Sequence, residues 1–267
     1  MYSNIKIMDE NIHYFYEDNP NNLPVVLFIH GYNDSCKTVM PLIFQKNRKY
    51  VIYGLDLPGC GLSTNNKPIT LEYYNNILKE FIHRLFGDKS IILLTHSMGS
   101  VLGLNNYSLN NVTNLIMLAP LNYALVDNVQ QKEQLHKWLL PNDSNDILDS
   151  YLNLVYKPTE TFKDRYKLIS KDLEIKISEN HNKYAFLVNN QILNINYLTE
   201  SIKLIFNQSK QYYIVYTEND KYVLPSQINK IQSEFPRNQY IELKNCGHAI
   251  LYQKAYEINE LINSLIK

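Results

Sequence analysis

The sequence predicts an α/β fold: a mostly parallel, twisted sheet with helices on both faces. Three observations carry that expectation. Continuous apolar runs of strand length, at Pro24–His30, Tyr50–Leu55, Ile91–Leu94 and Val112–Ala119, alternate with helix-like segments. Runs without polar alternation are the mark of strands covered on both faces, and strand–helix–strand repetition implies right-handed crossovers within one sheet. Glycine-bearing turns follow the runs, as in His30-Gly31-Tyr32, Asp56-Leu57-Pro58-Gly59-Cys60-Gly61-Leu62-Ser63 and Ser97-Met98-Gly99. The alternation stops between about Leu121 and Asn207 and resumes at Tyr212–Tyr216, the pattern of a helical insertion between two late strands.

Each element follows from local residues. Asn4–Met8 and Asn11–Glu17 read as an antiparallel pair turned at Asp9-Glu10. A helix is expected over Lys37–Phe44, although Pro41 stands inside it. Thr70 caps a helix that ends at Phe86-Gly87, and its apolar face carries Ile77, Leu78, Phe81, Ile82 and Leu85. A helix over Pro225–Glu234, a strand over Gln239–Leu243 and a closing helix over Ile250–Ile266 complete the chain. The expected division is a core of residues 1–120 and 208–267, with a helical cap over 121–207.

Composition narrows the function classes. Lys+Arg and Asp+Glu both total 26 in 267 residues, so no global field draws the chain to nucleic acid or anionic lipid. The heavy use of Asn, Ile, Lys and Tyr reads as the mark of an AT-rich genome. Cys36, Cys60 and Cys246 share no metal-like spacing, and their odd number suggests reduced thiols. The first residues lack a basic segment followed by an apolar one, and no apolar run reaches membrane-span length. These readings point to a cytoplasmic protein without a membrane span, metal or cofactor.

The stretch Ile91-Ile92-Leu93-Leu94-Thr95-His96-Ser97-Met98-Gly99 ends a buried strand on a serine at a tight turn into a helix. That placement projects a hydroxyl from the sheet edge beside backbone N–H groups. The usual pattern is G-x-S-x-G; here Gly99 is in place and Thr95 stands where the first glycine would be. The bulk of Thr95 falls where the neighbouring helix or strand packs. Further along, Thr217-Glu218-Asn219-Asp220 and Asn245-Cys246-Gly247-His248 follow the last two strands, giving the order Ser…Asp…His.

With these segments together, the chain resembles the α/β-hydrolase superfamily over nearly its whole length, through H-G-Y, D-L-P-G-C-G-L-S, T-H-S-M-G, N-D-K-Y-V and N-C-G-H-A. Gly31, Gly59, Gly61, Gly99 and Gly247, five of only eight glycines, lie in these segments. The resemblance implies Ser97 as nucleophile, His248 as general base and Asp220 as the carboxylate that orients it, with Glu218 and Asp127 as competing acids. It places the oxyanion hole at the backbone N–H groups of Tyr32 and Met98. His30, His96 and Asp56 read as structural.

A serine nucleophile sets the chain apart from family members that use aspartate there, and Ala249 after the histidine sets it apart from the carbon–carbon bond hydrolases. What remains looks like a carboxylesterase acting on an acyl ester. A narrower similarity is to the carboxylesterase that demethylates a pimeloyl-carrier-protein ester in biotin synthesis. An acyl thioesterase or lysophospholipase with the same residues stays open, as does a non-catalytic ligand-binding member of the fold. Trp138, Phe162 and Phe186, together with Tyr32, are the expected substrate-lining residues. The basic stretch Lys157, Lys163, Arg165, Lys167 and Lys171 reads either as a solvated helix face or as a docking face for an acidic acyl carrier protein.

Overall fold

The computed structural model describes residues 1–266. In chain order the elements are β1 (Tyr2–Ile7), β2 (Glu10–Tyr16), β3 (Val25–Ile29), a 3-10 turn (Cys36–Val39), α1 (Met40–Ile43), β4 (Val51–Leu55), α2 (Leu71–Phe86), β5 (Ile91–His96), α3 (Gly99–Asn106) and β6 (Val112–Leu118). Then come α4 (Val129–Leu139), α5 (Ser144–Leu154), α6 (Glu160–Glu174), α7 (Ile177–Leu187), α8 (Ile195–Tyr197) and α9 (Lys203–Ile205), with π-helical turns at Val188–Ile192 and Leu198–Ile202. The chain closes with β7 (Tyr213–Thr217), α10 (Pro225–Glu234), β8 (Gln239–Leu243), α11 (Ile250–Gln253) and α12 (Ala255–Leu265).

One eight-stranded sheet runs β1-β2-β4-β3-β5-β6-β7-β8. Only β2 opposes its neighbours; the pairings from β4 through β8 are parallel. This is the expected α/β class. After β3 the chain crosses to one side to make β4 and then returns to the other side to make β5. The order therefore reverses at the β3–β5 pair, and open α/β sheets place ligands beyond the strand ends at such a reversal. Ile29 pairs with Thr95 in that register, so His30-Gly31-Tyr32 and His96-Ser97-Met98 leave the sheet side by side.

The covered strands explain why the apolar runs are continuous. All six residues of β5 are buried, and α3 packs against the strand. Helix α2 begins where Thr70 Oγ1 accepts the amide of Tyr73 at 3.0 Å, and it buries Tyr74, Ile77, Leu78, Phe81 and Ile82. Two helices differ from expectation. Pro41, without an N–H, leaves the 37–44 region as a 3-10 turn followed by one short α-helical turn. The closing helix is interrupted at Lys254, whose φ of −136° and ψ of 32° are not helical, so α11 and α12 are separate. Among the described residues, no helix is long and apolar enough to cross a membrane. The three cysteines are buried and unbonded.

Candidate active site

Ser97 has φ of +51°, in the left-handed region that an L-residue adopts at some energetic expense. Its amide donates to Leu118 O (2.9 Å) and its carbonyl accepts from Leu121 N (3.0 Å), so the β6 end clamps the turn from both sides. Gly99 is required on the helix side: a Cβ there would lie 2.5 Å from His30 O and 2.6 Å from Ile29 O. That contact brings the β3 exit loop directly against the turn.

Thr95 does not distort the turn. Its side chain is buried, with Oγ1 3.0 Å from Ser100 Oγ and in reach of Ile116 O (3.4 Å). The room comes from Gly103 on α3, where a Cβ would approach Thr95 Cγ2 to 2.7 Å. The missing glycine on the strand is thus answered by a glycine on the facing helix, four residues after Gly99. The sequence reading attached no role to Gly103. The G-x-x-x-G spacing from Gly99, which puts both on one helix face, was the signal.

Of the three candidate carboxylates, Asp220 is the one that meets His248. His248 Nδ1–H donates to Asp220 Oδ2 at 2.9 Å, with both side chains buried. Asp220 Oδ1 is held in turn by the amides of Tyr222 (2.8 Å) and Val223 (2.9 Å). Glu218 points elsewhere, accepting from Asn245 N and pairing with Lys244, and Asp127 pairs with Lys230. His248 is brought to the turn through the residue beside Ser97: His96 Nε2–H donates to His248 O (3.0 Å), and their rings lie 4.8 Å apart. No hydrogen bond joins Ser97 Oγ to His248 among the described residues; such bonds commonly form only once substrate is in place.

The remaining histidines near the edge hold backbone. His30 Nε2 accepts from Leu57 N (3.0 Å), so its Nδ1–H donates to Gly31 O (2.7 Å) and ties the β3 and β4 exits together. Burial first, and then neighbouring His248, lower the His96 pKa to about 3, which keeps the ring neutral. With Nε2 carrying the proton, its buried Nδ1 has no protein partner.

The backbone amides of Tyr32 and Met98 donate to no protein acceptor among the described residues. They flank the exits of β3 and β5. The Tyr32 side chain turns away from this role: its OH donates to Leu139 O (2.7 Å) and its ring lies 4.9 Å from Tyr184. Burial pushes its phenol well above the usual range. Tyr184 OH and Lys183 Nζ both donate to Gly59 O, at 3.1 and 3.0 Å, so α7 is anchored on the loop after β4.

The other residues expected to line a pocket separate. Trp138 packs 4.6 Å from Tyr222, next to the Asp220–His248 pair. Phe162 stacks with Tyr166 (4.3 Å) and lies 5.9 Å from Tyr252. Phe186 is 55% exposed and joins none of them. Two surface clefts of about 530 and 500 Å³ are lined by residues of other regions, the first around Lys79, His83 and Arg84 at the far end of α2.

One other side-chain group among the described residues has the makings of a metal set: His13, Cys36 and Asp56, whose ligating atoms lie within 4.8 Å of one another. Both Asp56 oxygens already accept N–H groups, Oδ1 from Cys36 (2.7 Å) and Oδ2 from Leu62 (3.0 Å) and His13 Nδ1 (2.8 Å). Burial opposes the charge on Asp56, but the hydrogen bonds it accepts, from the amides of Cys36 and Leu62 and from the side chains of Cys36 and His13, together outweigh it and lower the pKa. Asp56 therefore organises its loop.

Residues 24–255 match the sequence profile described as the alpha/beta hydrolase fold. The chain belongs to that family. Among solved structures it is similar to a candidate lipase from Acinetobacter baumannii AYE, with TM-score 0.79 and 16% identity over 99% of this chain and 90% of that one. It is also similar to a candidate aryl esterase from Burkholderia cenocepacia, with TM-score 0.74 and 14% identity over 99% and 97%. A third is the thioesterase domain from the curacin biosynthetic pathway, with TM-score 0.69 and 16% identity over 98% and 99%. At these identities the likeness is one of fold. Comparison with curated proteins by sequence finds no match.

Proposed function

We propose that this alpha/beta hydrolase family member is a serine esterase that cleaves carboxylic esters of acyl substrates through an acyl-enzyme intermediate. The observation that carries the reading is the meeting of a strained Ser97 turn with a buried, hydrogen-bonded His248–Asp220 pair at one strand edge. In the first step Ser97 Oγ attacks the ester carbonyl while His248 Nε2 takes its proton. Asp220 keeps the proton of His248 on Nδ1 and balances the imidazolium that forms. The carbonyl oxygen, now negative, lies against the free amides of Tyr32 and Met98; losing one such donor raises the barrier by about 3 kcal/mol. His248 returns its proton to the leaving alcohol, then deprotonates a water that hydrolyses the acyl-serine.

The helices over residues 121–207 act in this reading as a cap on the core of 1–120 and 208–267. Tyr32, Trp138 and Phe162 are its proposed substrate-facing residues, with Phe186 at its outer surface. Gly103 makes room for Thr95, so the serine turn keeps its geometry, which supports turnover over the ligand-binding alternative.

A panel of acyl esters, matching thioesters and lysophospholipids of graded chain length tests the assignment. The expected result is ester turnover that disappears in Ser97→Ala. Faster thioester cleavage would move the assignment to a thioesterase, lysophospholipid cleavage would move it to a lysophospholipase, and no turnover of any member would count against an enzyme.

A further inference from the structure

Tyr222 stands two residues after Asp220 and touches the candidate base and the helical segment at once. Its ring is stacked on His248, with centroids 4.8 Å apart and planes 25° apart. The same ring packs against Trp138 of α4 at 4.6 Å and 32°. Its hydroxyl donates to Ser150 O of α5 (2.9 Å) and lies 2.8 Å from Ser150 Oγ, which donates back. Its amide holds Asp220 Oδ1 (2.8 Å). Trp138 is itself fixed by Nε1–H to Asp149 Oδ2 (2.7 Å), and Gln131 Nε2 of α4 donates to Lys221 O (2.8 Å). Burial pushes the phenol of Tyr222 far above its usual range, so it acts as a neutral ring and hydroxyl at any working pH.

We propose that Tyr222 is the positioning residue of His248: its ring fixes the face of the imidazole, and its packing on Trp138 makes that alignment depend on the docking of α4. Asp220 constrains one ring nitrogen and leaves rotation about the Nδ1···Oδ2 line free. A flat neighbour against the imidazole face removes that freedom. Because the neighbour is held by Trp138, displacing α4 slackens the base without breaking the His248–Asp220 hydrogen bond. The catalytic consequence rests on the serine-esterase reading; the structural one does not.

Two readouts test the proposal. In NMR spectra, the His248 ring protons are expected upfield of those of exposed histidines in the wild-type chain. They should move downfield in Tyr222→Leu and stay in place in Tyr222→Phe. In kinetics, Tyr222→Leu should lose kcat at least about tenfold with KM changed less than about threefold, the size of effect that a misplaced reacting group produces. Its Ser97 labelling by a fluorophosphonate should slow in parallel. Tyr222→Phe, which keeps the ring, should restore most of kcat. An unshifted His248 spectrum in the wild type overturns the proposal even if Tyr222→Leu fails to fold. Wild-type kcat in Tyr222→Leu, or an equal loss in Tyr222→Phe, also overturns it. If the wild type neither labels nor turns over any ester, the esterase reading fails while the spectra still judge the stacking.

Discussion

Two buried imidazole–carboxylate pairs stand in this molecule with nearly the same geometry: His248–Asp220 at 2.9 Å and His13–Asp56 at 2.8 Å. Both join Nδ1 to an Oδ2, and in both the carboxylate also accepts backbone amides. What differs is the company. His248 lies beside the strained serine turn and the two free amides. His13 stacks on Tyr2 of the edge strand, and its carboxylate closes the loop after β4 through Cys36 and Leu62. A buried histidine–aspartate pair is thus a rigid element of general use, and its function is set by what the other side of the imidazole faces.

The largest effect expected from breaking this comparison is on turnover. Asp220→Asn should lower kcat on the order of 10⁴-fold, because the amide no longer holds the Nδ1–H tautomer. Asp56→Asn should leave kcat per folded molecule within about threefold, since its hydrogen bonds go to His13, Cys36 and Leu62 and not to Ser97 or His248. Initial-rate kinetics on active-site-titrated samples measures both; equal losses would erase the distinction.

Next comes stability. Asp56→Ala should destabilise the fold by about 3–5 kcal/mol, the range for removing one partner of a buried charged network. Urea unfolding measures it, with the ratio of stability loss to activity loss reversed relative to Asp220→Asn.

Gly103→Ala should cost about 1–3 kcal/mol through overpacking against Thr95, whose Cγ2 would lie 2.7 Å from the new methyl. The double variant Thr95→Gly/Gly103→Ala should recover part of that loss. A double-mutant cycle on unfolding free energies reads the coupling, and strict additivity would show that Gly103 does not make room for Thr95.

The last effect is a slope. The folded His96 has a pKa of about 3 against an ordinary value of 6.5. Between those values the unfolded chain takes up a proton that the folded chain refuses. Stability therefore falls as the pH drops from about 6.5 toward 3, by up to about 1.4 kcal/mol per unit from this group. Unfolding titrations from pH 4 to 7 should show a flatter slope in His96→Asn.

Most of the fold was legible because parallel strands buried on both faces leave uninterrupted apolar runs, as Ile91–Leu94 does. The placing of His30-Gly31-Tyr32 and Ser97 at strand ends was legible, but the strand order that brings the exits of β3 and β5 together was not. The break at Lys254 was not legible, since the helical pattern continues through it. The choice of Asp220 over Glu218 and Asp127 came from the family resemblance, because the residues alone do not say how the loop after β7 turns. Gly103 and Tyr222 escaped notice for a shared reason. Each matters through a contact that forms only when elements pack, Gly103 of α3 on Thr95 of β5 and Tyr222 on His248 and Trp138.

The central claim is that Ser97 and the His248–Asp220 pair act as one unit, whereas His13–Asp56 does not. Mapping the adduct of a fluorophosphonate on the folded protein tests this most directly. The account predicts a single label on Ser97, abolished in His248→Ala, strongly slowed in Asp220→Asn and undiminished in Asp56→Asn. Absence of label on Ser97 in the folded wild type, or a label equally insensitive to both aspartates, would contradict it.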